Sequence, residues 1–301
     1  MLNKTHFVHL LNLLLVTIYC VGCQSQKNKD FPQAGNYSQP TVYTNTTEVS
    51  NTPQIKGIGK IGSGVVIAKD GDEYYVLTAK HLVNTEPGKI DDPYKIYFSD
   101  GNKYKEEYKI DYYSNVFLSE NENPSIDLAL VKFKSNKNHP ISTFNRNIVR
   151  QEDVAISGWK SCANQPTYEL TTGKVEAVLS PSKSQDGRNI NYSNPTIEGM
   201  SGSGVFNSKN ELVAIHSAAK KSVQYDKESC PKLDKLYGDN LGVSIKSFLE
   251  SDLFKKLPKG SYKISSDSSN AQDSPITENT PQSPSNDQPT GIFKRPKSFK
   301  D

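Results

Sequence analysis

The sequence is short of apolar residues and contains few cysteines. Apolar side chains make up 34% of the 301 residues, and there are only four cysteines and one tryptophan. Such a low apolar share is unusual for a compact domain, which suggests a normal core beside polar segments. The formal net charge of +3 is too small to indicate a nucleic-acid binder. The composition excludes collagen and coiled coils. A multi-span membrane protein is excluded too, because the one run that is apolar enough to meet a membrane lies at the N-terminus.

That N-terminal run predicts an export signal over residues 1–23. Lys4 supplies the positive charge, and the apolar segment covers residues 7–19. At about 13 residues it is shorter than the roughly 20 that a membrane-spanning helix needs. It ends in Cys20-Val21-Gly22-Cys23, a pattern typical of a bacterial lipobox, which predicts lipidation at Cys23. We therefore expect a membrane-anchored lipoprotein of the bacterial envelope; a secreted protein and an uncleaved anchor helix remain alternatives.

The remaining cysteines allow at most one disulfide. If Cys20 leaves with the signal and Cys23 is acylated, Cys162 and Cys230 are left. They form the one intramolecular pair open to an exported protein, and two free thiols are the alternative. Because no C-x-x-C pair follows the signal, a structural zinc site is not expected.

Polar segments flank the central part of the chain. Residues 24–54 are rich in Gln, Asn, Ser, Thr and Pro, and predict a flexible spacer. Residues 259–301 have a similar composition and predict a disordered tail, since they cannot bury enough apolar surface to offset their chain entropy. We expect the folded domain over residues 55–258.

Within this domain most segments have the pattern of short strands. The predicted strands are 61–67, 74–78, 94–98, 104–113, 128–133, 154–158, 173–179, 204–206 and 212–215. One helix is predicted over 244–257, where apolar residues recur at helical spacing between Ser244 as N-cap and Pro258. Many short strands and one late helix favour an all-β barrel or sandwich.

Three short motifs contain the residue types of a nucleophilic hydrolase. Ser201 lies in the sequence GMSGSG at 199–204, where glycines allow a tight turn and bring backbone N–H groups together. A serine needs a base, and His81 follows a predicted strand. Asp127 precedes an apolar strand, where a shielded carboxylate could orient an imidazole. Taken singly, each motif is also compatible with an ordinary turn or cap.

The other histidines outside the signal are His139 and His216. His139 follows Lys137 and Asn138 and precedes Pro140, so we expect it in a surface loop.

Together the motifs, in the order His, Asp, Ser, make the chain resemble the chymotrypsin-like serine endopeptidases over about residues 55–257. The resemblance implies an all-β fold: a double six-stranded antiparallel β-barrel with a C-terminal helix. It also implies that His81 is the general base, Asp127 its orienting carboxylate and Ser201 the nucleophile. The N–H groups of Gly199 and Ser201 would form the oxyanion hole, and no metal or cofactor would be needed.

The expected specificity pocket includes Pro195, Thr196, His216 and Ser217. Pro195 stands where trypsin-like enzymes place an Asp, which argues against Lys or Arg substrates. Thr196 and His216 resemble the pair that holds a substrate carboxylate in the bacterial glutamyl endopeptidase branch. A preference for Glu before the scissile bond follows from this resemblance; the alternative is that His216 merely packs beneath the pocket.

We therefore expect an exported, monomeric serine endopeptidase that acts on proteins or peptides and binds no nucleic acid. An α/β-hydrolase does not fit, because that fold requires Gly-x-Ser-x-Gly and the order Ser, Asp, His, whereas Ser203 occupies the last motif position here. A catalytically weak or inactive module that binds proteins remains the alternative.

Overall fold

The computed structural model of the chain describes residues 51–266 with seven gaps. These gaps are residue 59 and residues 86–93, 100–103, 120–124, 162–166, 181–183 and 220–238. Cys23, Cys162 and Cys230 lie outside the described residues, as do the signal and most of the spacer and the tail. Lipidation, the disulfide and the domain boundaries therefore stay predictions.

The described strands of the N-terminal half form two antiparallel sheets of four strands each. Their bounds are β1 Gln54–Gly57, β2 Lys60–Ser63, β3 Val65–Asp70, β4 Glu73–Thr78, β5 Tyr94–Ser99, β6 Tyr104–Ile110, β7 Val116–Leu118 and β8 Ala129–Lys134. The strand orders are β2-β1-β5-β6 and β3-β4-β8-β7. Apolar side chains from both sheets, including Ile55, Val76, Ile96 and Val131, pack into one core. Alternation along the strands places these side chains on the inner faces.

The C-terminal half contains a closed barrel. The described strands of this half are β9 Thr143–Phe144, β10 Asp153–Lys160, β11 Thr167–Val178, β12 Ile190–Tyr192, β13 Gly204–Asn207, β14 Leu212–Ala219, β15 Asn240–Ser244 and β16 Lys263–Ile264. The order β13-β10-β11-β12-β15-β14 closes through the pairing of β13 with β14, which gives six antiparallel strands. Val154, Ile156, Val205 and Val213 are among its core residues. The predicted all-β double-barrel fold is confirmed.

The helices are short. They are α1 Lys80–Val83, α2 Tyr112–Asn115 and α3 Ile245–Leu249, followed by a 3-10 turn at Phe254–Lys256. No helix in the described ranges is long and apolar enough to cross a membrane.

The predicted C-terminal helix exists but is shorter than expected. Ser244 caps its start, where Oγ accepts the Ser247 N–H at 3.1 Å. Ser251 Oγ then donates to the Phe248 carbonyl at 2.6 Å and accepts the Phe254 N–H at 3.3 Å. These side-chain hydrogen bonds compete with the helical pattern, so the helix ends early.

The prediction of a surface position for His139 was wrong. The residue is only 6% exposed, and its ring stacks on Phe98 with centroids 4.1 Å apart. His139 Nε2 lies 3.1 Å from Ser135 Oγ and 3.5 Å from a Glu106 oxygen. Burial lowers the pKa of His139, and Glu106 only partly offsets this effect. Phe98 lies on β5 and is distant in sequence, so the local polar pattern around His139 gave no sign of the contact.

Buried hydrogen bonds join the two halves of the chain. Trp159 on β10 is fully buried, and its Nε1 donates to the Thr52 carbonyl at 2.8 Å. The Ser63 N–H on β2 donates to the Ser201 carbonyl at 2.7 Å. The segment before β1 is thereby held against the C-terminal half.

Replacing Trp159 tests how much this contact stabilises the fold. We expect Trp159→Phe to lower the free energy of unfolding by about 1–3 kcal/mol, because the buried Thr52 carbonyl loses its donor. Urea unfolding followed by circular dichroism measures the change. A variant as stable as the wild type would show that the hydrogen bond contributes nothing net.

Candidate active site

His81 and Asp127 come from adjacent elements of the N-terminal half. His81 lies in α1, directly after β4, and Asp127 lies just before β8, which pairs with β4. The His81 N–H donates to Asp127 Oδ1 at 2.9 Å, and His81 Nδ1 lies 2.8 Å from Asp127 Oδ2. Because an ionised carboxylate can only accept, Nδ1 carries the proton. Nε2 is then free to act as a base.

The Asp127 carboxylate is buried and receives several donors. It is 5% exposed, and Ser217 Oγ also donates to its Oδ2. Burial acts to raise the pKa of Asp127, but the hydrogen bonds from His81 and Ser217 outweigh it and hold the pKa below its ordinary value. Asp127 is therefore ionised at neutral pH.

A cation that the sequence analysis missed also contacts this carboxylate. Arg188 Nη2 lies 3.3 Å from Asp127 Oδ2, and Arg188 Nε donates to Ser217 Oγ at 2.7 Å. Its Nη1 lies 3.3 Å from Asp186, whose carbonyl accepts the Asp127 N–H at 2.8 Å. No local signal marks Arg188, since its sequence context, Gln185 to Arg188, is that of a plain turn.

Ser201 lies in the turn before β13, in the C-terminal half. It lines the same cleft of about 510 Å³ as His81 and Gly199. Among the described residues, its Oγ makes one long contact, 3.5 Å, with the Ser217 carbonyl, and it forms no hydrogen bond with His81. Such bonds are often loose without substrate and tighten in the reacting complex.

Hydrogen bonds hold the backbone on both sides of Gly199. The Glu198 carbonyl accepts the Ser161 N–H at 2.8 Å, and the Gly199 carbonyl accepts Ser63 Oγ at 3.0 Å. Since N–H and C=O point in opposite directions across a trans peptide, the Gly199 N–H points away from Ser161. Neither the Gly199 nor the Ser201 N–H has a hydrogen-bond partner among the described residues.

Position 199 requires glycine. Its φ is +97°, and a Cβ there would lie 2.5 Å from the Ser161 nitrogen and 2.7 Å from the Trp159 carbonyl oxygen. The backbone of β10 therefore approaches the Gly199 turn too closely for any side chain.

The expected pocket residues lie on neighbouring parts of the C-terminal barrel. Thr196 Oγ1 donates to Asn240 Oδ1 at 2.7 Å, and Tyr192 OH lies 2.6 Å from His216 Nδ1. Tyr192 and Asn240 are register partners on β12 and β15. Thr196 and His216 do not hydrogen-bond to each other.

The other two expected pocket residues are Pro195 and Ser217. Pro195 is half-buried and directly precedes Thr196. Ser217 directly follows His216 and contacts Asp127.

His216 is a buried, neutral histidine. It is 3% exposed, and burial, with a smaller contribution from nearby His81, lowers its pKa to about 3. Burial also raises the pKa of Tyr192, so the partner hydroxyl is neutral too. His216 can therefore give or accept a hydrogen bond, but it does not supply a full positive charge at neutral pH.

The sequence comparisons agree with this geometry. The family model of the trypsin-like peptidase domain matches residues 62–215, about half of the chain. The chain belongs to this family. His81, Asp127 and Ser201 lie within the matched range.

Curated relatives of the peptidase domain include staphylococcal proteins. A glutamyl endopeptidase of Staphylococcus epidermidis is 27% identical over 208 residues, which cover 60% of this chain and 67% of that protein. Exfoliative toxin A of Staphylococcus aureus is 28% identical over 202 residues, which cover 62% and 63%. Among solved structures, Rv3671c of M. tuberculosis in an inactive form aligns at 14% identity with a TM-score of 0.49, over 74% of this chain and 98% of that chain.

The low pKa of His216 predicts a pH-dependent stability. The unfolded chain binds a proton at this histidine below about pH 6.5, whereas the folded protein resists protonation down to about pH 3. The stability that neutral His216 contributes is therefore full above pH 6.5 and is lost as the pH falls through this window. The loss is roughly 1.4 kcal/mol per pH unit.

We expect His216→Gln to flatten the pH dependence of stability. Between pH 6 and pH 4 the unfolding free energy of the wild type should fall more steeply than that of the variant, by about 1 kcal/mol per pH unit. Urea unfolding at several pH values measures both slopes. Equal slopes would mean that folded His216 titrates normally.

Proposed function

We propose that this protein is a serine endopeptidase that hydrolyses peptide bonds through an acyl-enzyme on Ser201. The observation that carries the proposal is the two-point contact of His81 with the buried Asp127 carboxylate, in a cleft that Ser201 also lines. Because Asp127 holds Nδ1, His81 Nε2 stays free to act as the base for Ser201.

The chemistry follows from the positions of these groups. As Ser201 Oγ attacks the substrate carbonyl carbon, His81 Nε2 takes the hydroxyl proton, and the carbonyl oxygen gains the negative charge. The N–H groups of Gly199 and Ser201 stabilise this oxyanion. When the C–N bond breaks, the amine leaves with the proton from His81. Water then attacks the ester in the same way and releases Ser201.

Asp127 supports both steps through His81. Its hydrogen bonds to the His81 N–H and Nδ1 fix the ring and its tautomer, and its charge stabilises the imidazolium that forms. The hydrogen bonds from His81 and Ser217 keep the pKa of the buried carboxylate below its ordinary value, so it stays ionised. Arg188 Nη2 lies 3.3 Å from the same oxygen.

We further propose that the enzyme prefers Glu before the scissile bond. With the Tyr192 hydroxyl at His216 Nδ1, the ring presents Nε2 as the atom for a substrate carboxylate. The single Tyr192 hydroxyl proton goes to the Leu241 carbonyl at 3.1 Å, so neutral His216 gives its Nδ1 proton to the Tyr192 oxygen and has none on Nε2. A bound substrate carboxylate raises the proton affinity of His216 and thereby favours the protonated ring, whose Nε2 donates to the acid. Relatives that carry the name glutamyl endopeptidase support this preference.

Thr196 has a competing partner in the free protein. The Asn240 side-chain nitrogen donates to the Asn194 carbonyl, which orients Oδ1 towards Thr196. The Thr196 hydroxyl must leave Asn240 to donate to a substrate. His216 is therefore the main determinant in this proposal, and Thr196 the weaker one.

Export belongs to the same proposal. The lysine, short apolar run and Cys23 motif of residues 1–23 favour secretion across the membrane with a lipid anchor. An enzyme of this type acts on proteins or peptides outside the cytoplasm.

Removing the nucleophile tests the reaction. We expect Ser201→Ala to lower kcat by roughly 10⁶-fold and to abolish labelling by a fluorophosphonate probe, because no other group can form the acyl-enzyme. Ser203→Ala is the matched control, since the Ser203 hydroxyl is buried without a partner among the described residues. A wild type that neither cleaves peptides nor reacts with the probe would instead identify an inactive binding module.

Substrate profiling tests the specificity. We expect kcat/KM for Glu to exceed that for Gln or Leu by roughly one to three decades, because unpaired buried polar groups cost about 1–3 kcal/mol each. His216→Ala should reduce this ratio far more than it reduces cleavage after a small apolar residue. A peptide-library profile led by Lys, Arg or aromatic residues would overturn the Glu preference and leave the catalytic assignment intact.

A further inference from the structure

Ser63 connects the N-terminal half to the turn that contains the nucleophile. It is the last residue of β2 and is fully buried. Its N–H donates to the Ser201 carbonyl at 2.7 Å, and its carbonyl accepts Thr78 Oγ1 at 2.7 Å. Its Oγ lies 2.8 Å from the Trp159 nitrogen and 3.0 Å from the Gly199 carbonyl oxygen.

The direction of the two Oγ hydrogen bonds is fixed by their partners. The Trp159 N–H can only donate and the Gly199 carbonyl can only accept. Ser63 Oγ must therefore accept from Trp159 and give its single proton to Gly199. The hydroxyl therefore acts as both an acceptor and a donor, and neither an apolar side chain nor a pure acceptor could replace it.

This hydrogen bond holds the peptide that follows Gly199. The Ser161 N–H holds the peptide that precedes it, through the Glu198 carbonyl at 2.8 Å. A glycine at φ +97° has no side chain to restrain its two peptides. The direction of the Gly199 N–H therefore depends on these two contacts.

We infer that Ser63 is a positioning residue that keeps the Gly199 N–H directed at the oxyanion. The inference rests on the proposed peptidase function and assigns to it a residue outside the triad, on the opposite half of the molecule. Ser63 does not touch the substrate; it acts through Gly199.

The alanine variant isolates the hydroxyl. Ser63→Ala keeps the backbone contacts to Ser201 and Thr78 and removes only the bonds to Trp159 and Gly199. Because the oxyanion forms only in the transition state, we expect kcat to fall by about 10–100-fold while KM changes less than about threefold. Ser63→Thr, which retains the hydroxyl, should restore most of kcat.

Ser203→Ala is the matched control for a lost buried hydroxyl. Ser203 lies in the same turn, is fully buried and has no side-chain partner among the described residues. We expect wild-type kcat for this variant. All kinetic measurements use protein that circular dichroism shows to be folded.

Inhibitor binding separates positioning from general stability. A peptide aldehyde adds to Ser201: the Oγ–carbon bond forms, the C=O pair moves to oxygen, and the Ser201 proton passes to His81. The matching peptide alcohol binds without this bond. In Ser63→Ala the inhibition constant of the aldehyde should rise about 10–100-fold, and that of the alcohol should not change.

Failure of the positioning role and failure of the proposed peptidase function would give different results. Wild-type kcat in Ser63→Ala, an equal loss in Ser203→Ala, or an equal weakening of both inhibitors would overturn the positioning role while the peptidase assignment stands. A wild-type protein without hydrolysis or probe labelling would overturn the proposed function, and with it this inference.

Discussion

The groups proposed to react lie on two different halves of the chain, so their alignment depends on the buried hydrogen bonds between those halves. His81 and Asp127, the proposed base and its carboxylate, belong to the N-terminal half, and Ser201, the proposed nucleophile, lies in the turn before β13 of the C-terminal half. The backbone contact between Ser63 and Ser201, at 2.7 Å, joins them close to the reacting atoms. Because Ser63 is fully buried, loss of its partner would leave a buried polar group unpaired, so the contact strongly favours one relative placement of the two halves.

The environment of the Asp127 charge also depends on contacts between the two halves. The carboxylate belongs to the N-terminal half, but two of its donors, Ser217 and Arg188, belong to the C-terminal half. The turn before Arg188 also reaches across, since Gly187, at φ +70°, approaches Ile126 so closely that a Cβ would lie 2.5 Å from its Cγ2. Assembly of the halves therefore both aligns the site and completes the solvation of its buried charge.

Much of this arrangement could be predicted from local patterns. Alternating apolar residues identified most long strands. The motifs around His81 and Ser201 identified residues that line one cleft, and the motif around Asp127 identified the buried carboxylate that contacts His81. Short strands such as β12 and β15 were missed because three to five residues carry little periodicity. His139 and Ser63 were missed for a different reason: their environment is built by residues distant in sequence, and a polar loop or a Gly-Ser-Gly run looks the same whether buried or exposed. The predicted helix after Ser244 was too long, because the side chain of Ser251, and not a change in the apolar pattern, ends the helix.

The position of Trp159 has a practical consequence. It is the one tryptophan of the sequence, and it is buried where the segment before β1 meets β10. Intrinsic tryptophan emission from this protein therefore originates at the contact between the halves and nowhere else. A shift in that emission reports separation of the two halves, even while circular dichroism still records intact strands. The chain thus carries a natural spectroscopic probe for the docking step on which its site depends.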